Sequence, residues 1–147
     1  MSLHYEQFEL GATFASRGRT ITEADIVQFA GLTGDYIEIH TNEEYAKAGP
    51  FGRRIAHGAL VFSYSLGLMT QLNLLNDTVI AFYGLDKLRF TRPVFIGDTI
   101  EVSKKVVDKA EKPEGGLITF ETTVLNQRGE TVIFYIDKML VKYARRA

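Results

Sequence analysis

An aspartate and a histidine stand close together in the segment 34–40, which reads GDYIEIH. The segment falls between two predicted helices, so Asp35 and His40 belong to a loop in which both side chains can converge on one water molecule. A carboxylate and a neutral imidazole together can hold a water and take its proton. The same spacing also fits an aspartate that ends one helix and a histidine that caps the next. The segment is therefore a candidate general-base site.

A second segment, 54–60 or RIAHGAL, opens a long apolar stretch. A helix that begins there presents unpaired N–H groups and the positive end of its dipole. Gly58 has no side chain to obstruct a carbonyl oxygen, so donors at this point can stabilise an enolate-like oxyanion. The alternative is a glycine that permits close helix–strand packing, with His57 as a cap. Ser63, further along the helix, either bonds back to the helix backbone or points into a pocket.

Composition and motifs exclude several other classes of function. The chain has 147 residues, the size of one domain, and no cysteine, which removes disulfides, thiolate metal sites and a cysteine nucleophile. A net charge of -1 argues against a nucleic-acid binder. We find no phosphate-binding loop, dinucleotide motif or Gly-x-Ser-x-Gly elbow. The histidines lack the His-Glu-x-x-His spacing, so the sequence predicts no metal site.

The sequence predicts a cytoplasmic protein without a membrane span. The N-terminus has neither a basic region nor a long apolar run, so it does not read as a signal peptide. Residues 55–76 carry no Asp, Glu, Lys or Arg, but polar residues and glycines interrupt them. Such a stretch in a soluble domain indicates a helix buried on nearly all sides. The absence of cysteine fits a reducing compartment.

The elements that must position these residues follow from patterning. Thr22 is a good N-cap for a first helix, and Gly31 is its predicted end. Thr41 or Asn42 caps a second, short helix, residues 49–52 form a turn, and a long apolar helix runs from about 57 to 75. The second half predicts four strands with short links, hence an antiparallel sheet. The predicted fold is α+β, with a curved antiparallel sheet wrapped around one long central helix.

Taken together, these segments resemble the MaoC-like dehydratases, the (R)-specific enoyl-CoA hydratases of hotdog fold. The resemblance rests on residues 34–40, then 51–58 (FGRRIAHG), 83–94 (YGLDKLRFTRPV) and 97–100 (GDTI). It extends from about Ile21 to Val102, and the C-terminal strands fit the topology. It implies a single MaoC-like hotdog domain over residues 1–147.

The resemblance also implies roles for these residues. Asp35 and His40 would activate the water that adds to C3 of a trans-2-enoyl thioester, giving a (3R)-hydroxyacyl product by syn addition. The N–H of Gly58 would bind the thioester oxygen, and Ser63 matches a serine near the catalytic pair. Arg53 and Arg54 would meet phosphates of coenzyme A or would simply be solvated. The implied enzyme is a lyase of fatty acid metabolism that needs no cofactor beyond its acyl-CoA substrate.

One departure from the family pattern concerns the loop itself. The family motif usually has Asn-Pro where this chain has Ile37-Glu38. Ile37 cannot supply a side-chain hydrogen bond, and the rigidity of proline is missing, which bears on loop geometry and substrate preference. Glu38 is either a solvated loop residue or a third acid near the water.

Two further functions remain open, and the partners follow from the family. A hotdog acyl-CoA thioesterase would drive water onto the thioester carbonyl instead of C3. A non-catalytic subunit would bind acyl thioesters without turning them over. The expected ligand is an acyl-CoA or acyl-carrier-protein thioester. Because two hotdog units pair in the family and this chain has the length of one, we expect a homodimer or higher even oligomer.

Overall fold

The computed structural model describes residues 1–144. A 3₁₀ turn at Tyr5–Gln7 precedes strands β1 and β2, and four helices follow before the main sheet. The helices are α1 (Glu23–Thr33), α2 (Glu38–Thr41), α3 (Glu43–Lys47) and α4 (Gly58–Thr70). The strands are β1 (Thr13–Ala15), β2 (Arg19–Thr20), β3 (Val79–Phe90), β4 (Thr99–Lys112), β5 (Gly115–Leu125) and β6 (Thr131–Val141).

The strands form one antiparallel sheet with α4 packed against its inner face. The strand order is β1-β4-β5-β6-β3, and β2 pairs with β4 beside β1. Leu60, Val61 and Leu68 of α4 are buried in one hydrophobic cluster with Val102 and Val124 of the sheet. The predicted α+β arrangement, with an antiparallel sheet covered by the long apolar helix, is confirmed.

Two predicted N-caps are confirmed, whereas the predicted C-terminal end of α1 is not. Thr22 caps α1, since its hydroxyl accepts the N–H of Asp25 at 3.2 Å and the Asp25 carboxylate accepts the N–H of Thr22 at 2.8 Å. Asn42 caps α3, because its Oδ1 accepts the N–H of Tyr45 at 3.0 Å. The predicted end at Gly31 is wrong. The helix continues to Thr33, and Gly34 leaves it with a left-handed φ of 79°, which only glycine adopts freely.

The long apolar helix is shorter than predicted, and two short strands were not predicted at all. The apolar helix ends at Thr70, before the predicted 75, and no helix among residues 1–144 has the length and apolar character needed to cross a membrane. The apolar residues 79–83 belong to a 12-residue strand, β3, whose pairing with β6 shifts register three times. β1 and β2 were missed because strands of three and two residues are too short for alternation to show.

Candidate active site

Asp35 is placed by the end of α1. The left-handed Gly34 turns the chain, so Asp35 leaves the helix directly into a tight turn. The backbone N–H of Asp35 donates to the hydroxyl of Thr33 at 3.1 Å, and the N–H of Ile37 donates to Asp35 Oδ1 at 3.3 Å. These bonds fix the half-buried carboxylate at the start of the 35–40 segment.

His40 lies in α2, not in an open loop as predicted. Its ring is buried, and its Nδ1 stands 2.7 Å from the carbonyl oxygen of Ile55. A carbonyl oxygen only accepts, so Nδ1 carries the proton and Nε2 keeps its lone pair. Burial lowers the pKa of His40, and nearby His57 lowers it further, while the bond to Ile55 and the charge of Asp35 act the other way. The net effect favours a neutral imidazole, the form that takes a proton.

His57 belongs to the same site, which sequence reasoning missed by treating it as a cap. The side chain makes no cap bond to α4. Its buried ring stacks on His40, with centroids 4.0 Å apart and planes inclined by 28°. Its Nε2 stands 3.0 Å from the carbonyl oxygen of Asp35, so Nε2–H donates there. The His-Gly pair at the helix start was visible in the sequence, but the direction of the ring was not.

The ligand atoms of Asp35, His40 and His57 lie within 4.8 Å of one another, close enough for a shared metal ion on distance alone. Histidine binds a metal through a lone pair in the plane of its ring, at about 2.0–2.1 Å for zinc. Two stacked rings inclined by only 28° do not direct their lone pairs at a common point at that distance. The residues therefore do not fit an ion held by both histidines, whereas Asp35 and the open Nε2 of His40 suit a water.

Gly58 begins α4, and the structure bears on the close-packing expectation for a glycine there. A Cβ at this position would lie 2.8 Å from the ring of Phe90, so any other residue would push Phe90 aside. Close helix–strand packing is therefore one reason for glycine. As the first residue of α4, Gly58 also has a backbone N–H without an intrahelical acceptor. Its role as an oxyanion donor stays a proposal.

Ser63 and the two arginines differ in what they contact. Ser63 is exposed, and its hydroxyl donates to the carbonyl of Ala59 at 2.8 Å, the back-bonding alternative. Arg54 forms ion pairs with carboxylates of α1 and α3, Glu23 and Glu43, and only 15% of its side chain is exposed. Its charge is thus engaged in holding the two helices together.

Arg53 and Glu38 lie at the surface of the site. Arg53 is exposed and stacks over the ring of Phe95 at 3.8 Å, so of the two arginines it is the one better placed to meet a phosphate. Glu38 is exposed and accepts a hydrogen bond from the Asn42 side chain at 2.9 Å. This contact favours the solvated alternative for Glu38.

Comparison with protein families gives a match over most of the chain. A family model of the MaoC-like domain matches residues 7–127. Protein MaoC of Klebsiella aerogenes is 40% identical over 99 residues, which make up 67% of this chain but 29% of that longer protein. The (R)-specific enoyl-CoA hydratase of Rhodospirillum rubrum is 39% identical over 122 residues, 82% of this chain and 81% of that enzyme.

Solved structures agree on the fold. A monoamine oxidase regulatory protein from Archaeoglobus superposes with a TM-score of 0.92 at 40% identity, over 98% of this chain and 97% of that one. A Mycobacterium tuberculosis protein with a double hotdog fold superposes with a TM-score of 0.85 at 19% identity, over 99% of this chain and 46% of that one. The predicted hotdog fold is therefore confirmed.

Proposed function

We propose that this chain, which belongs to the MaoC-like domain family, is an (R)-specific enoyl-CoA hydratase, acting in reverse as a 3-hydroxyacyl-thioester dehydratase. Relatives named hydratase and dehydratase support a hydro-lyase activity at the level of the family. The observation that carries the finer proposal is the pairing of the Asp35 carboxylate with a buried His40 whose Nε2 is unprotonated, beside the N-terminus of α4.

The proposed reaction begins with a water held between Asp35 and His40. Nε2 of His40 takes one proton as the water oxygen bonds to C3 of the enoyl thioester. The π electrons move onto the thioester oxygen, where the N–H of Gly58 and the N-terminus of α4 stabilise the negative charge. The enolate then collapses, and C2 receives the proton from His40 on the face that the water entered. The neutral imidazole is restored, and the product is a (3R)-hydroxyacyl thioester.

His57 acts in this proposal as a positioning residue. It donates to the backbone carbonyl of Asp35 and stacks on His40, so it ties both members of the pair to the first turn of α4. His57 therefore fixes the positions of Asp35 and His40 relative to the N–H of Gly58, the next residue in the chain. Arg53, which is exposed in the turn that precedes α4, is the proposed contact for the phosphates of coenzyme A.

We also propose that one domain spans residues 1–147 and pairs with a second copy through β3. This strand forms one edge of the sheet and carries exposed apolar and aromatic side chains, among them Ile80, Phe82 and Tyr83. An exposed apolar edge is a template for pairing with another chain. The partner strand would run antiparallel to β3 about a two-fold axis.

The proposed function is tested by incubating the protein with crotonyl-CoA. We expect loss of the absorbance of the enoyl thioester, formation of (3R)-hydroxybutyryl-CoA and no release of free thiol. Release of free coenzyme A without hydration would establish the thioesterase instead. Tight binding without loss of absorbance would establish a non-catalytic acyl-thioester-binding subunit.

A further inference from the structure

A buried ion pair crosses the inner face of the sheet, away from the residues of the proposed reaction. Lys104 of β4 and Asp137 of β6 contact each other with side chains that are 4% and 0% exposed. Thr122 of β5, which lies opposite Lys104, donates its hydroxyl to the other oxygen of Asp137 at 2.7 Å. The three side chains form one polar row across three neighbouring strands.

The polar row separates two hydrophobic clusters. Val102, Val124 and Tyr135 belong to the cluster that contains the buried leucines of α4, and Val106, Phe120 and Met139 belong to the second. Removing two charges from water is costly, and apolar residues of similar volume are often as stable or more stable in such places. Stability alone therefore does not explain why a lysine and an aspartate occupy the middle of this face.

A cavity of about 650 Å³ adjoins the row on the side of the second cluster. It lies between the second half of α4, the start of β3 and the sheet, and its size is typical of a site for a small organic ligand. Among the described residues that line it, Lys104 is the one that carries a charge. The others are mainly apolar, including Leu66, Met69, Ile80, Phe82, Phe120 and Met139.

Lys104 brings hydrogen-bond donors to this apolar cavity. An ammonium group has three donors, and among residues 1–144 Asp137 is the one hydrogen-bond acceptor that Nζ contacts. Nζ also lies 4.5 Å from the centre of the Phe120 ring, itself a lining residue. Because Asp137 already neutralises the lysine, a neutral oxygen can accept from Nζ without changing the buried charge. A carboxylate would leave one uncompensated negative charge, which is costly.

One face of α4 connects the proposed reaction centre with this cavity. Gly58, Phe62, Leu66 and Met69 follow one another at intervals of three and four residues, so they share a face of the helix. Leu66 lies eight residues beyond Gly58, about 12 Å along the axis at 1.5 Å per residue. An extended acyl chain of roughly ten carbons or more, bound by its thioester at Gly58, spans that distance along the helix.

We propose that this cavity receives the tail of the acyl thioester and that Lys104, held by Asp137, selects tails with a neutral oxygen acceptor such as a ketone or hydroxyl. The inference rests on the proposed function, whose acyl-thioester site it deepens. Lys104 is thus a specificity-determining residue, remote from the reacting carbons. Short acyl groups such as crotonyl do not extend to it.

The test measures binding of saturated thioesters, which do not undergo hydration. Calorimetry gives Kd for dodecanoyl-CoA, for a series of dodecanoyl-CoA analogues with one ketone at successive chain positions, and for the ω-carboxylate analogue. The wild type is compared with the double variant Lys104→Met/Asp137→Leu, which removes both charges together, and with the control Lys105→Met on the exposed side of β4. Crotonyl-CoA hydration is measured for all three proteins.

In the wild type we expect at least one ketone position to bind about tenfold more tightly than dodecanoyl-CoA, and the carboxylate to bind weakest. The double variant should lose this preference while hydrating crotonyl-CoA at the wild-type rate, and Lys105→Met should change neither. Weaker binding of every ketone by the wild type would overturn the inference without any variant, as would a preference that survives in the double variant. Failure of crotonyl-CoA hydration by the wild type counts against the proposed function. The ratio of Kd between each ketone analogue and the unsubstituted acyl-CoA tests the role of the cavity independently of that activity.

Discussion

The protonation of the two stacked histidines follows from the oxygen atoms that they face. Each ring directs one nitrogen at a backbone carbonyl, His40 at Ile55 and His57 at Asp35. Each of these nitrogens must therefore donate. The remaining nitrogen of His57 is buried without a hydrogen-bond partner among residues 1–144, while that of His40 is the proposed base. Two adjacent imidazoles thus have different roles, because one is enclosed and the other is left to accept a proton.

The lowered pKa of His40 predicts the acid side of the pH profile. Hydration requires the neutral ring, so kcat/KM should fall with decreasing pH about a midpoint below the usual 6.5. Between the folded pKa and 6.5 the unfolded chain binds more protons than the folded one. The free energy of unfolding should therefore also decrease as the pH falls from about 6.5 through the folded pKa. Rate profiles and denaturant unfolding check both, and a midpoint at or above 6.5 would contradict the assignment.

A substitution of His57 tests whether this residue positions Asp35 and His40 or only packs against them. His57→Phe keeps an aromatic ring against His40 but removes the bond to the Asp35 carbonyl and the neighbour that lowers the pKa of His40. We expect kcat to fall by about tenfold, on the scale of one hydrogen bond to a positioned group. The acid midpoint should move up towards 6.5 while thermal stability is largely kept. His4→Gln, outside the site, serves as the control, and an unmoved midpoint would leave His57 a purely structural residue.

Much of this residue-scale picture was accessible from the sequence, but not all. The types and order of Asp35, His40 and Gly58 predicted a general-base site and an oxyanion donor, and the structure gathers them at the ends of three helices. The role of His57 was hidden, because sequence spacing does not give the direction of a ring. The commitment of Arg54 to Glu23 and Glu43 was equally invisible, since those partners lie 31 and 11 residues away in the chain.

At the scale of elements, the helices are short and placed by their ends. α1 stops where Gly34 adopts a left-handed conformation, and Asp35 comes next. The sequence pointed to Gly31 because any glycine near the end of an apolar pattern is a candidate stop, and only the backbone conformation distinguishes the two. α2, four residues long, lacks a periodic signal altogether, so its place in the sequence read as loop.

The backbone at the start of α2 is compatible with the proline that the family usually has at position 38. Glu38 is the first residue of that helix, a position where proline is favoured, and Ile37 has the extended conformation that precedes proline (φ -54°, ψ 133°). We therefore expect Glu38→Pro to raise the free energy of unfolding by about 0.4–1 kcal/mol relative to Glu38→Ala, which loses the same bond to Asn42. Chemical denaturation measures the difference. A Pro variant less stable than the Ala variant would show that this turn cannot adopt the family's geometry.

At the scale of the whole molecule, the sheet has one long apolar edge. β3 pairs with β6 on one side, and its other side faces solvent along with Tyr83, which is 53% exposed. The sequence predicted that a second copy would be needed, from the family resemblance and the length of the chain. It did not identify the interface, because which strand lies at an edge depends on the order of strands in the sheet.

A charge on this edge should weaken the proposed dimer. In a two-fold pairing, Tyr83→Glu places like charges near each other across the new strand pair, which is destabilising. We expect the variant to shift towards monomer in light scattering coupled to size-exclusion chromatography. Leu10→Glu, an exposed apolar position away from β3, should leave the dimer intact. A wild-type protein that is monomeric and fully active would contradict pairing through β3.

The central claim is that Asp35 and His40 together activate the water that adds to an enoyl thioester. The most direct test is kcat/KM for crotonyl-CoA hydration by Asp35→Asn and His40→Ala, with Glu38→Gln as the matched acidic control. We predict a loss of about two or more orders of magnitude for each of the first two, the usual scale for loss of a general base, and near-wild-type activity for the control. Near-normal turnover by both Asp35→Asn and His40→Ala, or loss of activity in Glu38→Gln alone, would contradict the account.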